Sequence, residues 1–92
     1  MVSKELTVEN RAGIHARPAT EIVKVASRYK SDIFFEKDTM KINGKSIMGI
    51  ITLAATYKTK LTCICCGEDE NELLQDMENL FRNRFVYGKE TD

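Results

Sequence analysis

The sequence predicts an α+β fold: an open-faced two-layer sandwich in which three helices cover one face of a four-stranded antiparallel sheet. Two observations support this. Strand-like and helix-like segments follow each other in the order strand, helix, strand, strand, helix, strand, helix. Each helical segment has one apolar stripe, which suits a sheet covered on one face only. We expect a single domain over residues 1–92, because a chain of this length holds one core, with residues 88–92 as a frayed tail.

The first strand and the first helix are joined by a short polar loop. Residues 2–8 alternate loosely and are rich in β-formers, which predicts a strand, and residues 10–13 break that pattern. The next segment has a helical apolar stripe formed by Ala19, Ile22, Val23 and Ala26. Pro18 has no N–H to donate, so it is tolerated only in a first turn. The helix is therefore expected to begin at about Ala16, with His15 at its cap.

Two short strands are expected to form a hairpin in the middle of the chain. Residues 33–37 predict the second strand, and residues 38–39 predict a turn. Residues 40–42 predict a short third strand, which ends at Asn43-Gly44 because these two residues favour turns.

A short, very apolar helix is expected after this hairpin. Ser46 stands at its start, and the helix covers residues 47–53. Gly49 and the β-branched residues of this segment are poor helix formers, so packing against the rest of the protein must stabilise it.

The last strand and the last helix follow. Residues 60–66 predict the fourth strand, and Asp69 with Glu72 three residues later predicts a capping box at the start of the third helix. The apolar stripe of that helix consists of Leu73, Leu74, Met77, Leu80, Phe81 and Phe85.

The charge balance argues against nucleic acid as a partner. Lysine plus arginine number 14, as do aspartate plus glutamate, so the formal net charge is zero. Nucleic-acid binding draws on a surplus of basic residues, and no strand has the aromatic-rich pattern of RNA-binding sheets.

The apolar stretches fall far short of the ~20 residues of a membrane span, and the first residues show no signal-peptide core. We therefore expect a cytoplasmic protein with neither a nucleic-acid nor a membrane partner.

Three cysteines, Cys63, Cys65 and Cys66, lie together in the fourth predicted strand. An odd, clustered set makes a poor disulfide framework, in keeping with a reducing compartment. A metal-binding module is the alternative, but Cys65 and Cys66 point to opposite faces of a strand and no second Cys or His pair completes a tetrahedral set. We expect no metal and no cofactor. By alternation Leu61, Cys63 and Cys65 share one face, and Ile64 and Cys66 share the other.

His15 is the only histidine in the chain, and several features meet there. Imidazole is a nucleophile that forms labile covalent intermediates. A helix start offers backbone N–H groups and a partial positive charge, Arg17 adds a planar charged donor, and Gly13 lets the preceding loop turn tightly. These features describe a site where a phosphate is held on a ring nitrogen. The alternative is a histidine that only caps the helix beside an ordinary surface arginine.

Two segments of the sequence resemble one protein family. Residues 13–19, Gly-Ile-His-Ala-Arg-Pro-Ala, resemble the active-site signature of the HPr family, the histidine-containing phosphocarriers of bacterial sugar phosphotransferase systems. Residues 43–50, Asn-Gly-Lys-Ser-Ile-Met-Gly-Ile, resemble the regulatory serine segment of the same family. The two segments stand at the family's spacing, and the order of strands and helices matches from residue 2 to about residue 84. The resemblance therefore covers nearly the whole chain.

The resemblance implies roles for the residues around the histidine. In this family, enzyme I phosphorylates the histidine at Nδ1, and the phosphoryl group then passes to sugar-specific enzyme IIA proteins. His15 matches that histidine, and Arg17 matches the arginine that neutralises the phosphate. Ala16 and Arg17 would offer backbone amides to the phosphate. The chain would then be a relay that needs its partner enzymes, and not an enzyme itself.

The resemblance also implies regulation and docking at the second segment. Ser46 matches the serine that an HPr kinase/phosphorylase modifies in many bacteria, and the alternative is a helix cap without regulation. Ile47, Met48 and Ile51 match the family's exposed apolar patch that docks on partners, and the alternative is that they belong to the core. Met48 is the first of the three that we expect to be exposed, because a flexible thioether suits a surface that meets several partners.

Some positions depart from the family pattern. Ala12 lacks the hydroxyl that many relatives have there, and residues 54–59 lack the usual glycine. Residues 63–66 are less polar than in relatives, and residues 85–87 are apolar beyond the usual end of the last helix. These last two departures leave the oligomeric state open.

An alternative function would use the same residues. A regulatory phosphoprotein would control carbon metabolism or transcription through His15 or Ser46, by docking on a transcriptional regulator or a metabolic enzyme, without sugar transport. A branch of the family that signals through the serine alone replaces the histidine, and the presence of His15 here argues against that branch.

Overall fold

The computed structural model describes residues 1–85 and has the expected order of strands and helices. The strands are β1 (Val2–Thr7), β2 (Asp32–Lys37), β3 (Met40–Asn43) and β4 (Lys60–Cys66). The helices are α1 (Ala16–Ala26), α2 (Ile47–Thr52) and α3 (Glu70–Arg82). All neighbouring strands are antiparallel, in the order β1-β4-β2-β3. The predicted fold class is therefore confirmed, whereas the expected frayed tail at residues 88–92 lies outside the described residues.

The core lies between the sheet and the helices. On β4, Leu61, Cys63 and Cys65 are buried, while Ile64 is half-buried and Cys66 is exposed, as the alternation predicts. The sheet meets the last helix through two rings, since Phe35 of β2 stacks on Phe81 of α3 with centroids 5.9 Å apart. The buried residues of α3, Leu73, Met77, Leu80 and Phe81, all belong to its predicted stripe. Leu74 of that stripe is only half-buried, and Phe85 is buried but lies beyond the end of the helix.

The core face of α1 differs from the prediction at one position. Ala19, Ile22 and Ala26 are buried as expected, but the fourth buried aliphatic residue is Val25, and Val23 is only half-buried. Val25 is three residues from Ile22, so it lies on the same helix face. None of the helices in the described part of the chain is long and apolar enough to cross a membrane.

The start of α3 contradicts the predicted capping box. Asp69 is the N-cap residue, but its side chain makes no cap hydrogen bond, and Glu72 is exposed. The Asp69 carboxylate instead accepts the Ser31 hydroxyl and the backbone N–H groups of Lys30 and Ser31, the two amides each at 2.9 Å. These bonds, above all the one from the hydroxyl, lower the pKa of Asp69 to about 2. The prediction was wrong because three donors from a distant segment replace the single amide that a cap would use.

Candidate functional site

His15 is the N-cap residue of α1, as predicted from Pro18. Its backbone is extended (φ −117°, ψ −161°), and its carbonyl oxygen accepts the N–H of Ala19 at 3.0 Å, which is the first bond of the helix. The side chain is exposed and makes no cap hydrogen bond. The imidazole is therefore not used to cap the helix, and it stands at the surface beside the helix start.

The first residues of α1 lie directly after His15 and present the positive end of the helix. Ala16 and Arg17 are the first two helical residues, and both are exposed. The N–H groups of a first helical turn point out of the helix and carry a partial positive charge. Pro18, the third residue, is buried and has no N–H. The structure thus brings His15, Ala16 and Arg17 together at one exposed helix end, an arrangement that can hold an anionic group.

The loop before His15 is held by hydrogen bonds on both sides of one peptide group. Gly13 has a φ of +76°, and a Cβ at this position would lie 2.8 Å from the carbonyl oxygen of Ala55, so glycine is required there. The N–H of Ile14 donates to that same oxygen at 2.9 Å. The Nδ2 atom of Asn10, whose side chain is buried, donates to the carbonyl oxygen of Gly13 at 2.6 Å.

The sequence predicts no part for Asn10 in this site. It predicts only that residues 10–13 form a loop that turns tightly at Gly13. The available signal was an asparagine three residues before a glycine, because asparagine side chains often bond to the backbone of the turn they begin.

The loop that packs beside Gly13, residues 54–59, is irregular but held by hydrogen bonds, although it contains no glycine. Ala54 adopts a φ of +51°, a left-handed conformation that alanine disfavours. Beyond it, the N–H of Lys58 donates to the Val8 carbonyl at 2.7 Å, and the N–H of Val8 donates to the Thr59 carbonyl at 2.9 Å. These bonds connect the loop to the residue that follows β1. Ala12, in the loop before His15, is exposed.

The second predicted segment lies at the start of α2, a helix that packs against α1. Ser46 is the N-cap residue, and its Oγ accepts the N–H of Gly49 at 3.1 Å. Met48 is 72% exposed and Ile47 is 39% exposed, whereas Ile51 is half-buried against the core. The expectation that part of this helix remains exposed, Met48 first, is confirmed.

The cysteines of β4 fall on both faces of the sheet. The Sγ atoms of Cys63 and Cys65 are 4.0 Å apart in the core, while Cys66 is exposed on the other face. The hydrogen bond that the Cys63 thiol makes with Cys65, together with burial, raises the pKa of Cys63. Within residues 1–85, no three His, Cys, Asp or Glu side chains cluster so that they could hold a metal ion.

Comparison with known proteins finds close similarity along the chain. The family model described as the PTS HPr component phosphorylation site matches residues 2–83. Phosphocarrier protein HPr of Treponema pallidum (strain Nichols) is 47% identical over 85 residues, which cover 92% of this chain and 97% of that protein. HPr-like protein Crh of Bacillus subtilis (strain 168) is 46% identical over 77 residues, which cover 84% of this chain and 91% of that protein. The crystal structure of HPr-C-His from Thermoanaerobacter tengcongensis aligns with a TM-score of 0.90 and 35% identity, over 96% of this chain and 99% of that one.

Proposed function

Since the chain belongs to the HPr family of phosphocarrier proteins, we propose that it accepts a phosphoryl group from enzyme I on Nδ1 of His15. It then transfers that group to sugar-specific enzyme IIA proteins of a bacterial phosphotransferase system in the cytoplasm. The observation that carries this proposal is the exposed imidazole at the N-cap of α1, beside Arg17. The protein acts as a relay, because both the donor and the acceptor are other proteins.

The chemistry needs only a nucleophile and a moderate anion site. The Nδ1 electron pair of neutral His15 forms a bond to phosphorus while the bond between phosphorus and the donor breaks. The phosphoryl oxygens then lie near the backbone N–H groups of Ala16 and Arg17 and the Arg17 guanidinium. Because all three residues are exposed, solvent and salt screen their attraction for the phosphoryl group and keep it weak. Weak binding suits a carrier, since tight binding of the phosphoryl group would slow the next transfer.

The test is phosphorylation with labelled phosphoenolpyruvate and purified enzyme I. The wild-type protein should acquire a label that is lost in acid and stable in base, as expected for a phosphoramidate. His15→Ala should acquire none. Arg17→Lys, which keeps the charge but loses the planar donor group, should be labelled more slowly. An acid-stable label, or a label on His15→Ala, would show that the phosphoryl group does not travel through this ring.

Ser46 is proposed as a regulatory phosphorylation site for an HPr kinase/phosphorylase. Its Oγ already caps α2, and a phosphate at a helix N-terminus favours the helix, so unfolding is not the expected mode of control. The phosphate instead adds nearly two negative charges next to the exposed Ile47 and Met48. We propose that this charge slows acceptance at His15 by repelling enzyme I.

Two matched variants separate charge from capping at this site. Asp and Asn are both good N-cap residues and have nearly the same shape. Ser46→Asp should therefore accept phosphate from enzyme I more slowly, while Ser46→Asn should keep the wild-type rate and both should stay folded. Equal rates for the two variants would exclude control by charge.

Ile47, Met48 and Ile51 are proposed as the surface that docks on partner proteins. Met48 offers the largest exposed apolar side chain of the three, whereas the half-buried Ile51 contributes an edge of the patch. An exposed apolar patch on α2 gives a partner protein an apolar surface to bind, so that docking does not depend on charge alone.

A second candidate function is regulation without sugar transport, through a transcriptional regulator or a metabolic enzyme. The similarity to Crh favours it, because that relative is the Catabolite Repression HPr of Bacillus subtilis. The labelling experiment distinguishes the two functions. Phosphorylation at Ser46 by a kinase, with no label from phosphoenolpyruvate on His15, would favour the regulatory function.

A further inference from the structure

We propose that Asn10 is a positioning residue for phosphoryl transfer at His15. Its side-chain amide binds the peptide group between Gly13 and Ile14, and Ile14 is the residue directly before His15. This inference rests on the proposed function of His15 as the phosphoryl acceptor.

The peptide group between Gly13 and Ile14 is bound at both ends. Its carbonyl oxygen accepts Nδ2 of Asn10 at 2.6 Å, and its N–H donates to the carbonyl oxygen of Ala55 at 2.9 Å. The N–H of Gly13 also donates to the backbone oxygen of Asn10 at 3.1 Å, which closes the turn. Two opposed bonds on one peptide fix its rotation, and the Asn10 side chain that supplies one of them is only 1% exposed.

His15 depends on this peptide because its own ring is not anchored by capping. The side chain makes no cap hydrogen bond and is exposed, so what the fold positions is the backbone from which the ring projects. On the helix side, the bond from Ala19 to the His15 carbonyl fixes that backbone. On the loop side, the peptide held by Asn10 and Ala55 does so. A looser peptide would turn the ring away from the N–H groups at the helix start, and small misplacements of a nucleophile slow transfer steeply.

The position requires a hydrogen-bond donor. Among residues 1–85, the Oδ1 atom of Asn10 is buried without a hydrogen-bond partner, while Nδ2 binds the Gly13 carbonyl. Leaving a buried acceptor unpaired is unfavourable, so it is the Nδ2 bond that accounts for an amide at this place. An Asp at residue 10 has the same shape, but its carboxylate would face the Gly13 carbonyl with an acceptor.

Asn10→Asp is therefore the sharpest probe, read by the kinetics of phosphorylation by enzyme I. We expect kcat to fall about tenfold, because a looser loop places the reacting ring less well. KM should stay within about twofold, because the docking residues on α2 are unchanged. At lower pH the protonated Asp can donate its O–H to Gly13, so kcat relative to the wild type at the same pH should partly recover. This recovery would identify the missing donor to the Gly13 carbonyl as the cause of the loss.

Two further variants keep the test decisive. Asn10→Ala removes the donor without adding an acceptor, so its kcat should be lowered by a similar factor at every pH. This variant replaces Asn10→Asp in the test if Asn10→Asp does not fold. Ile33→Val, a core change on β2, should lower the melting temperature and leave kcat unchanged.

A kcat for folded Asn10→Asp and Asn10→Ala within twofold of the wild type would overturn the role of Asn10 alone. A change confined to KM, or the absence of recovery at low pH, would do the same. A wild-type protein that takes no phosphoryl group from enzyme I would instead overturn the proposed function.

Discussion

Gly13→Ala is the sharpest test of whether the loop before His15 requires glycine at residue 13. Gly13 has a φ of +76°, and an added Cβ would lie 2.8 Å from the Ala55 carbonyl oxygen and 3.2 Å from Cα of Thr56. Both contacts are with backbone, so no side chain can rotate away. The two loops must move apart, and this weakens the hydrogen bond from Ile14 to Ala55.

The loss of stability can be worked out from these contacts. Alanine in a left-handed conformation costs about 1–2 kcal/mol, and a lost hydrogen bond costs about 1 kcal/mol. Alanine also reduces the conformational entropy of the unfolded chain, which offsets about 0.5–1 kcal/mol of this loss. The free energy of unfolding should therefore fall by about 2 kcal/mol, which lowers the melting temperature of a domain of this size by roughly 10 °C.

Thermal unfolding followed by circular dichroism measures this change, and Gly67→Ala is the matched control. Gly67 joins β4 to α3 with a φ of +152°, and a Cβ there would lie 2.7 Å from Cα of Ser31. Both variants should therefore melt earlier. Only Gly13→Ala should also accept phosphate from enzyme I more slowly while folded. A melting temperature of Gly13→Ala within about 2 °C of the wild type, or equal phosphorylation rates for the two variants, would refute this reasoning.

Two other substitutions test backbone strain and pH dependence. Ala54→Gly removes a left-handed alanine at φ +51° and should raise the melting temperature by roughly 2–5 °C, after allowing for the more flexible unfolded chain; a lower melting temperature would contradict the strain. Asp69 has a pKa lowered to about 2 by its bonds to Ser31 and Lys30, below the roughly 3.9 of an unfolded Asp. Its contribution is therefore present above about pH 4 and is lost as the pH falls towards 2. Acid unfolding curves should show this loss for the wild type and a smaller one for Asp69→Asn, and identical pH dependence would contradict it.

Residues with a strictly local effect made much of the fold and of the site predictable. Pro18 is tolerated only in the first turn of a helix, so it predicts the start of α1 and places His15 at the cap. The alternation along β4 likewise assigned Cys63 and Cys65 to the core and Cys66 to the open face.

The features that were not predicted depend on contacts between distant parts of the chain. Asp69 and Glu72 have the spacing of a capping box, but the Asp69 carboxylate is bound by residues 38 and 39 positions earlier in the chain. Such partners come close only in the folded protein, and local spacing carries no information about them. The left-handed Ala54 is a similar case, because the bonds that hold its loop come from the end of β1.

Asn10 is a mixed case. Its bond to Gly13 spans only three residues, but its burial depends on the way the loop packs on the chain around Ala55. The sequence indicated a turn at this place, but it did not indicate which side chain points inwards.

The most direct measurement follows one phosphoryl group into and out of His15. Protein that has been labelled through enzyme I, and then separated from enzyme I and phosphoenolpyruvate, is mixed with purified enzyme IIA. The label should leave the chain and appear on enzyme IIA, and the recovered chain should accept a second label. A label that stays on the chain in the presence of enzyme IIA, or one that transfers equally well from His15→Ala, would contradict the relay.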